Sequence, residues 1–129
     1  IGYCPVKPTP LGARLCSWPS HFYQWHREGF ELPRGARLLA TGSNDFPNQA
    51  FVYGRAAIAV QFHSEITYQL VNRWTAGAPH RLVMPGAQSR PDQLRDHLVY
   101  QRNVRAWLDA FLSQWIEGRL RLRAQVEQA

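Results

Sequence analysis

The sequence is poor in the residues that several common functions require. Its 129 residues include two cysteines, Cys4 and Cys16, and these belong to no CxxC motif and to no Cys/His cluster. The spacing excludes a cysteine-based zinc site, and two cysteines do not make a disulfide framework. Free thiols are typical of a reducing compartment, so we expect a cytoplasmic protein that needs neither a metal ion nor another cofactor.

Long apolar runs and lysine are also scarce. No apolar run approaches the roughly 20 residues that cross a membrane as a helix, so we expect no membrane partner. Lys7 is the single lysine among 15 basic residues, which outnumber 9 acidic residues and give a net charge of +6. The arginines are scattered from Arg14 to Arg123. Nucleic-acid binders usually carry a basic patch, so the scatter favours a solvated surface over a nucleic-acid partner.

The first part of the chain has the pattern of a β-rich fold. Hydrophobic residues make up 45% of the sequence, and the length suits a single domain with its own core. Within residues 1–75, short apolar and aromatic runs alternate with proline and glycine, which predicts strands with short connections. The five predicted strands span residues 1–6, 21–26, 36–40, 49–53 and 56–62.

The second part of the chain has helical patterns. Apolar residues first recur on one helical face at Ile66, Leu70, Val71 and Trp74. Glycine and proline then predict a loop over residues 77–91, followed by an amphipathic helix over residues 92–117 and a polar tail over residues 118–129. Strands followed by two helices fit an α+β domain, and they equally fit the back part of an α/β domain.

The apolar run 56–62 ends in a histidine and, two residues later, a carboxylate. In extended backbone, residues i and i+2 point to the same side, so His63 and Glu65 can lie side by side at a strand end. A histidine with a carboxylate to orient it is the general-base half of a nucleophilic triad. The pair alone is weak support, because a structural or surface histidine is the commoner explanation of such a tripeptide.

Two other enzyme classes that use this kind of histidine are excluded by what surrounds it. A zinc deaminase also has an HxE pair, but it requires a downstream PCxxC motif for the metal, and the sequence has none. A serine hydrolase of the α/β type requires a GxSxG elbow, which is also absent. The base and its orienting carboxylate therefore need a different nucleophile.

Three segments together resemble class I glutamine amidotransferase domains, of the stand-alone type similar to GMP synthase. Residues 24–36 read QWHREGFELPRGA, residues 48–54 read NQAFVYG, and residues 61–67 read QFHSEIT. They resemble the family's W-H-x-D/E-x-F-x-L-P-x-G-A, N-Q-A-F-x-x-G and Q-F-H-P-E-V-T blocks in order and spacing, with Ser64 where proline is usual. The resemblance implies an α/β fold: the C-terminal part of a flavodoxin-like domain, with about five strands followed by two helices.

The resemblance also implies a Cys-His-Glu triad that hydrolyses the side-chain amide of glutamine and releases ammonia for an acceptor. His63 matches the family's catalytic histidine, and Glu65 matches its catalytic glutamate. His26 and Glu28 lie in a segment that is near the glutamine pocket in this family, so both are candidate substrate-binding residues. The implied partners are L-glutamine or a γ-glutamyl compound, and an ammonia-accepting synthase.

The nucleophilic cysteine of this triad has no match in the sequence. It should lie in a G-x-C-x-G elbow, but Cys16 has no flanking glycines, and Pro5 after Cys4 lacks the N–H group that would help form an oxyanion hole. Residues 1–3 instead resemble the strand that follows the elbow. We therefore expect the nucleophile in a missing N-terminal part of the same domain, and we expect residues 1–129 alone to be inactive. The alternative is a truncated, non-catalytic interaction module with a basic surface that binds nucleic acid.

Overall fold

The computed structural model describes residues 1–118, in which strands with one short helix among them occupy the first part of the chain and helices follow in the second. The strands are β1 (Gly2–Pro5), β2 (Lys7–Pro8), β3 (His21–Gln24), β4 (Arg37–Thr41), β5 (Asn48–Tyr53) and β6 (Ala57–Val60). The helices are α1 (Pro10–Leu15), α2 (Tyr68–Gly77), α3 (Pro79–Leu82) and α4 (Arg90–Ile116).

The strands form two sheets. Within each sheet, neighbouring strands are antiparallel in the part of the chain that the structure describes. One sheet contains β1 and β3, and the other has the order β2-β4-β5-β6. An isolated bridge between Tyr23 and His63 extends the smaller sheet, because the His63 N–H donates to the Tyr23 carbonyl at 2.9 Å. The segment after β6 therefore lies beside β3.

The main core lies where α4 covers these strands. Phe22 of β3 is fully buried and stacks on Phe62, with ring centroids 3.8 Å apart. Trp107 of α4 packs edge-on against Phe22 at 5.1 Å and against Phe62 at 5.5 Å. The buried apolar cluster consists of Val6, Phe22, Leu39, Ala40, Ala50, Val52, Phe62, Val104, Trp107 and Phe111. Phe62 thus anchors the segment that carries His63.

Strand β2 and helix α1 lie between the predicted strands 1–6 and 21–26, where the sequence predicted only a short connection. Thr9 is the N-cap of α1, because its hydroxyl accepts from the Gly12 N–H at 3.1 Å, and Pro10 occupies the first turn. Both are standard helix-start signals. The helix contains six residues, too few to show a periodic apolar face.

The helices of the second part lie near their predicted positions. Helix α2 begins after the capping hydroxyl of Thr67, which accepts from the Leu70 N–H at 3.2 Å. The predicted loop 77–91 contains the four-residue helix α3, and α4 covers most of the expected range 92–117. The predicted polar tail 118–129 lies outside the described residues after Gly118. No helix within residues 1–118 is long and apolar enough to span a membrane.

A layer of polar side chains joins α4 to the smaller sheet. The Tyr3 hydroxyl lies 2.7 Å from His97 Nδ1, and the Tyr23 hydroxyl donates to Gln93 Oε1 at 2.7 Å. All four side chains are buried. Burial is the main cause that raises the pKa of both phenols, so the tyrosines stay protonated and can donate. These bonds satisfy polar groups that would otherwise be costly to bury.

Acidification is expected to destabilise the fold through His97. Burial lowers the pKa of His97 from its usual value of 6.5, so the folded state favours the neutral imidazole. The unfolded chain binds the proton first as the pH falls. The free energy of unfolding should therefore be highest above the usual pKa and decrease below it.

Urea unfolding of residues 1–129 at about pH 7.5 and about pH 5 measures this decrease. His97→Gln should reduce the difference in unfolding free energy between the two pH values. A smaller difference should remain from His26, whose pKa is also lowered by burial. His80→Gln is the matched control because His80 is exposed on α3, and its difference should match that of the unsubstituted chain. A His97→Gln difference equal to that of the unsubstituted chain would contradict the prediction.

Candidate active site

The candidate site lies just beyond the end of β6. After Val60 the chain leaves the strand, and the Gln61 N–H donates to the Gln49 carbonyl at 2.9 Å. Phe62 then enters the core, while the bridge to Tyr23 fixes the backbone of His63. A buried neighbour on one side and a backbone hydrogen bond on the other leave the imidazole little freedom to move.

His63 and Glu65 form a direct pair. His63 Nδ1 lies 2.7 Å from Glu65 Oε1, and the two side chains are 33% and 59% exposed. The pair lies in a bridge and the turn that follows it, rather than in a regular strand as the alternation of the sequence predicted. With the carboxylate accepting from Nδ1–H, the neutral ring has its lone pair at Nε2, which is the state that a general base requires.

Two tryptophans extend from His63 across the surface. The Trp74 ring of α2 meets the His63 ring edge-on, with centroids 5.1 Å apart and an interplanar angle of 74°. Trp25 lies 5.7 Å from Trp74, and it is parallel to the Tyr23 ring at 6.3 Å. Both tryptophans are partly buried. We name Trp25 and Trp74 the tryptophan pair. Trp74 contacts the imidazole, and Trp25 continues the aromatic surface beyond Trp74.

His26 belongs to a chain of amide side chains. Its Nε2 lies 2.7 Å from Gln24 Oε1, and Gln24 Nε2 donates to Gln49 Oε1 at 2.8 Å. Its ring also meets Phe46 edge-on at 4.7 Å. Burial is the largest cause that lowers the pKa of His26, so this imidazole is neutral at pH 7 and its Nε2–H can donate to Gln24.

Glu28 is placed differently from its counterpart Glu65, although both follow a histidine by two residues. Its side chain is exposed, and its backbone carbonyl accepts from Gln61 Nε2 at 2.7 Å. This bond ties the loop after β3 to the segment that precedes His63. The structure thus assigns Glu28 a backbone contact near the site, with its carboxylate directed to solvent.

The two cysteines have surroundings that suit packing better than nucleophilic attack. Cys4 Sγ lies 3.7 Å from the Gly2 carbonyl, and Cys16 packs against the main core beside Trp107. Burial is the main cause that raises the pKa of both thiols. A raised pKa disfavours the thiolate, which is the reactive form. Among residues 1–118 there is also no group of three potential metal ligands.

Solved structures with the same fold identify the family that the chain resembles. A glutamine amidotransferase from Methylobacillus flagellatus is 27% identical, with a TM-score of 0.81 over 92% of this chain and 52% of its own. One from Thermotoga maritima is 26% identical, with a TM-score of 0.73 over 91% of this chain and 50% of its own. The chain has the fold of the glutamine amidotransferases. Neither a protein-family model nor a curated protein matches the sequence.

The comparison covers about half of each solved amidotransferase. A third structure, SMU.1228c, shares the fold at 23% identity, with a TM-score of 0.65 over 93% of this chain and 51% of its own. The α/β class predicted from the sequence is confirmed by these neighbours. The catalytic and substrate-binding roles of individual residues remain predictions, which rest on the geometry around His63.

Some features of this amidotransferase-like site were not predicted from the sequence. One is the contact between Trp25 and Trp74, which are both partly buried. The contact of Trp74 with His63 had not been foreseen, because helical spacing shows only that Trp74 shares an apolar face. The one available signal was proximity in sequence, since α2 begins five residues after His63.

Proposed function

We propose that the chain carries the histidine and glutamate of a Cys-His-Glu triad in a glutamine amidotransferase. The observation that carries this proposal is the 2.7 Å contact between His63 Nδ1 and Glu65 Oε1, beside a fixed backbone. His63 is the general base and acid, and Glu65 holds its tautomer and stabilises the imidazolium. The orientation leaves Nε2 as the atom that exchanges protons with the nucleophile and the leaving group.

The reaction proceeds through a covalent glutamyl thioester. Nε2 of His63 takes the thiol proton as sulfur attacks the carbon of the side-chain amide, and the same proton passes to the departing nitrogen to give ammonia. Water, deprotonated by Nε2, then attacks the thioester, which releases glutamate and returns the proton to sulfur. No metal ion is needed for these steps, because the thiolate is the nucleophile.

In this proposal the nucleophile is neither Cys4 nor Cys16, and it belongs to a different segment of polypeptide. We assign it to an N-terminal part of the same domain, which is then the first partner of the chain. The basis is the raised pKa of both thiols and their contacts away from His63. L-glutamine or a γ-glutamyl compound is the substrate, an ammonia-accepting synthase is a further partner, and the cytoplasm is the proposed location.

His26 and Glu28 are proposed to border the substrate pocket. His26 is the stronger of the two, because its neutral ring and the amides of Gln24 and Gln49 form a hydrogen-bonded group near the Gln61–His63 segment. Glu28 contributes through the position of its backbone, since its carbonyl binds Gln61. A polar group of this kind suits an amide-bearing substrate, which both donates and accepts hydrogen bonds.

Replacing Glu65 with alanine is expected to change the tautomer of His63. In the unsubstituted chain, neutral His63 should carry its proton on Nδ1, where Glu65 accepts it. Without the carboxylate the preference for Nδ1–H should decrease severalfold, because a charge-assisted hydrogen bond is lost. Long-range ¹H–¹⁵N correlation spectra of residues 1–129 above pH 7 report the tautomer directly.

Glu28→Ala is the matched control, since Glu28 also follows a histidine by two residues but makes its contact through the backbone. This variant should leave the His63 signals unchanged. An Nε2–H tautomer of His63 in the unsubstituted chain, or an Nδ1–H tautomer that persists in Glu65→Ala, would overturn the proposed role of Glu65.

A further inference from the structure

Arg81 has an unusual position at the far end of the tryptophan pair. Its guanidinium carbon lies 5.6 Å from the centre of the Trp25 ring, and the residue is partly buried. Trp25 contacts Trp74, and Trp74 contacts His63. Three successive ring contacts therefore connect the Arg81 guanidinium to the candidate catalytic imidazole.

The backbone holds Arg81 in this place. The Ala78 N–H donates to the Trp74 carbonyl at 3.0 Å, and the Arg81 N–H donates to the Ala78 carbonyl at 3.0 Å. Pro79 begins α3 directly after Ala78 and restricts the connection between α2 and α3. Because Trp74, Ala78 and Arg81 are joined in this way, the backbone of Arg81 is held close to the helix that carries Trp74.

The charge of Arg81 is not neutralised within residues 1–118. The ion pairs described for this part of the chain link arginines and aspartates of α4, and the carboxylate of Glu65 contacts His63. Arg81 takes part in none of these pairs or of the side-chain hydrogen bonds described there. A guanidinium that lies over an aromatic ring keeps its N–H donors available to bind an anion.

We infer that Arg81 binds a carboxylate of the substrate whose amide His63 helps to cleave. This inference rests on the proposed function, since it takes the substrate to be glutamine or a γ-glutamyl compound. A guanidinium binds a carboxylate through two parallel hydrogen bonds, and the tryptophan pair supplies an apolar surface between that point and the imidazole. Arg81 is a substrate-binding residue in this scheme, apart from the proton transfers at His63.

The carboxylate has two chemical sources that an experiment can distinguish. It is either the α-carboxylate of the glutamyl unit or a carboxylate on a group attached to the γ-amide nitrogen. L-glutamine and L-glutaminamide differ only in the α-carboxylate. The compounds γ-L-glutamylglycine and γ-L-glutamylmethylamide differ in the carboxylate beyond the amide. Four probes therefore separate the two sources.

The test titrates residues 1–129 with each probe and follows the ¹H–¹⁵N indole signal of Trp25, which Trp25→Phe identifies. Arg81→Met should weaken binding of the preferred carboxylate by about tenfold, and Arg81→Lys should retain part of the affinity. Arg73→Met is the matched control, because Arg73 is exposed on α2, and its affinity should match that of the unsubstituted chain.

Each result bears on the inference. If Arg81→Met weakens binding of L-glutamine and the unsubstituted chain does not bind L-glutaminamide, Arg81 binds the α-carboxylate. If instead γ-L-glutamylmethylamide binds more weakly than γ-L-glutamylglycine, Arg81 binds the carboxylate beyond the γ-amide. Absence of saturable binding by every probe overturns the inference, as does an Arg81→Met affinity within about twofold of the unsubstituted chain. The His63 tautomer does not depend on Arg81, so failure here with a normal Glu65→Ala response leaves the proposed function standing.

Discussion

Replacing His63 with alanine is expected to reduce glutamine-dependent ammonia release by about 10³-fold or more, because the variant lacks the proposed general base that takes the thiol proton and delivers it to the leaving nitrogen. The measurement uses a polypeptide that joins residues 1–129 to the N-terminal part proposed to carry the nucleophile. Glu65→Gln should cost about tenfold to a hundredfold, since the base remains and only its orientation weakens. Ammonia release is followed with a coupled assay at saturating glutamine.

The control for this experiment is His80→Ala, an exposed histidine on the short helix α3, which should keep full activity. Two outcomes would contradict the proposal. One is His63→Ala activity within about tenfold of the unsubstituted enzyme. The other is ammonia release by residues 1–129 alone, which would place the nucleophile inside the chain. Salt-dependent RNA binding without glutaminase activity would instead support the interaction-module alternative.

Replacing Gly12 with alanine is expected to lower the free energy of unfolding substantially, although it adds only one methyl group. A Cβ atom at this position would lie 2.0 Å from the backbone carbonyl oxygen of Leu39. Leu39 is fully buried on β4, and its carbonyl also accepts from the Thr9 N–H at 2.9 Å. To relieve the clash, α1 would have to move away from the sheet and lose this bond. We expect about 3 kcal/mol of destabilisation.

Gly77→Ala is the matched control, because a Cβ at the end of α2 meets no atom within 4 Å. It should be neutral or stabilise the chain by up to about 1 kcal/mol, since alanine favours the helix. Urea midpoints of the two variants and the unsubstituted chain give the comparison. Equal midpoints for Gly12→Ala and Gly77→Ala would show that α1 does not pack against β4 as described.

Much of the fold could be predicted from local patterns. The segments 21–26, 36–40, 49–53 and 56–62 each overlap an observed strand, because alternating apolar residues between prolines and glycines suit half-buried sheet positions. Helix α2 could be predicted from its spacing and from the capping side chain of Thr67. Helix α1 could not be predicted from periodicity, since a short helix held by one cap and one close backbone contact leaves almost no apolar pattern.

The pairing of a histidine with a carboxylate at His63 and Glu65 is the part that the sequence by itself determined. In extended backbone an imidazole and a carboxylate two residues apart point to the same side. In the structure His63 Nδ1 and Glu65 Oε1 lie 2.7 Å apart in a bridge and the turn that follows it. The absence of a G-x-C-x-G motif from these 129 residues can also be read at that level, because the motif requires glycines at fixed offsets.

Only the tertiary structure decided what surrounds this pair. The bond from His63 to Tyr23, the edge of Trp74 against the imidazole, and Arg81 over Trp25 join residues from separate strands and helices. Such contacts leave no mark in hydrophobic periodicity, because each residue follows the pattern of its own element. The amphipathic pattern predicts which side chains face the core. Which aromatic rings and charged groups contact each other around His63 depends on tertiary packing.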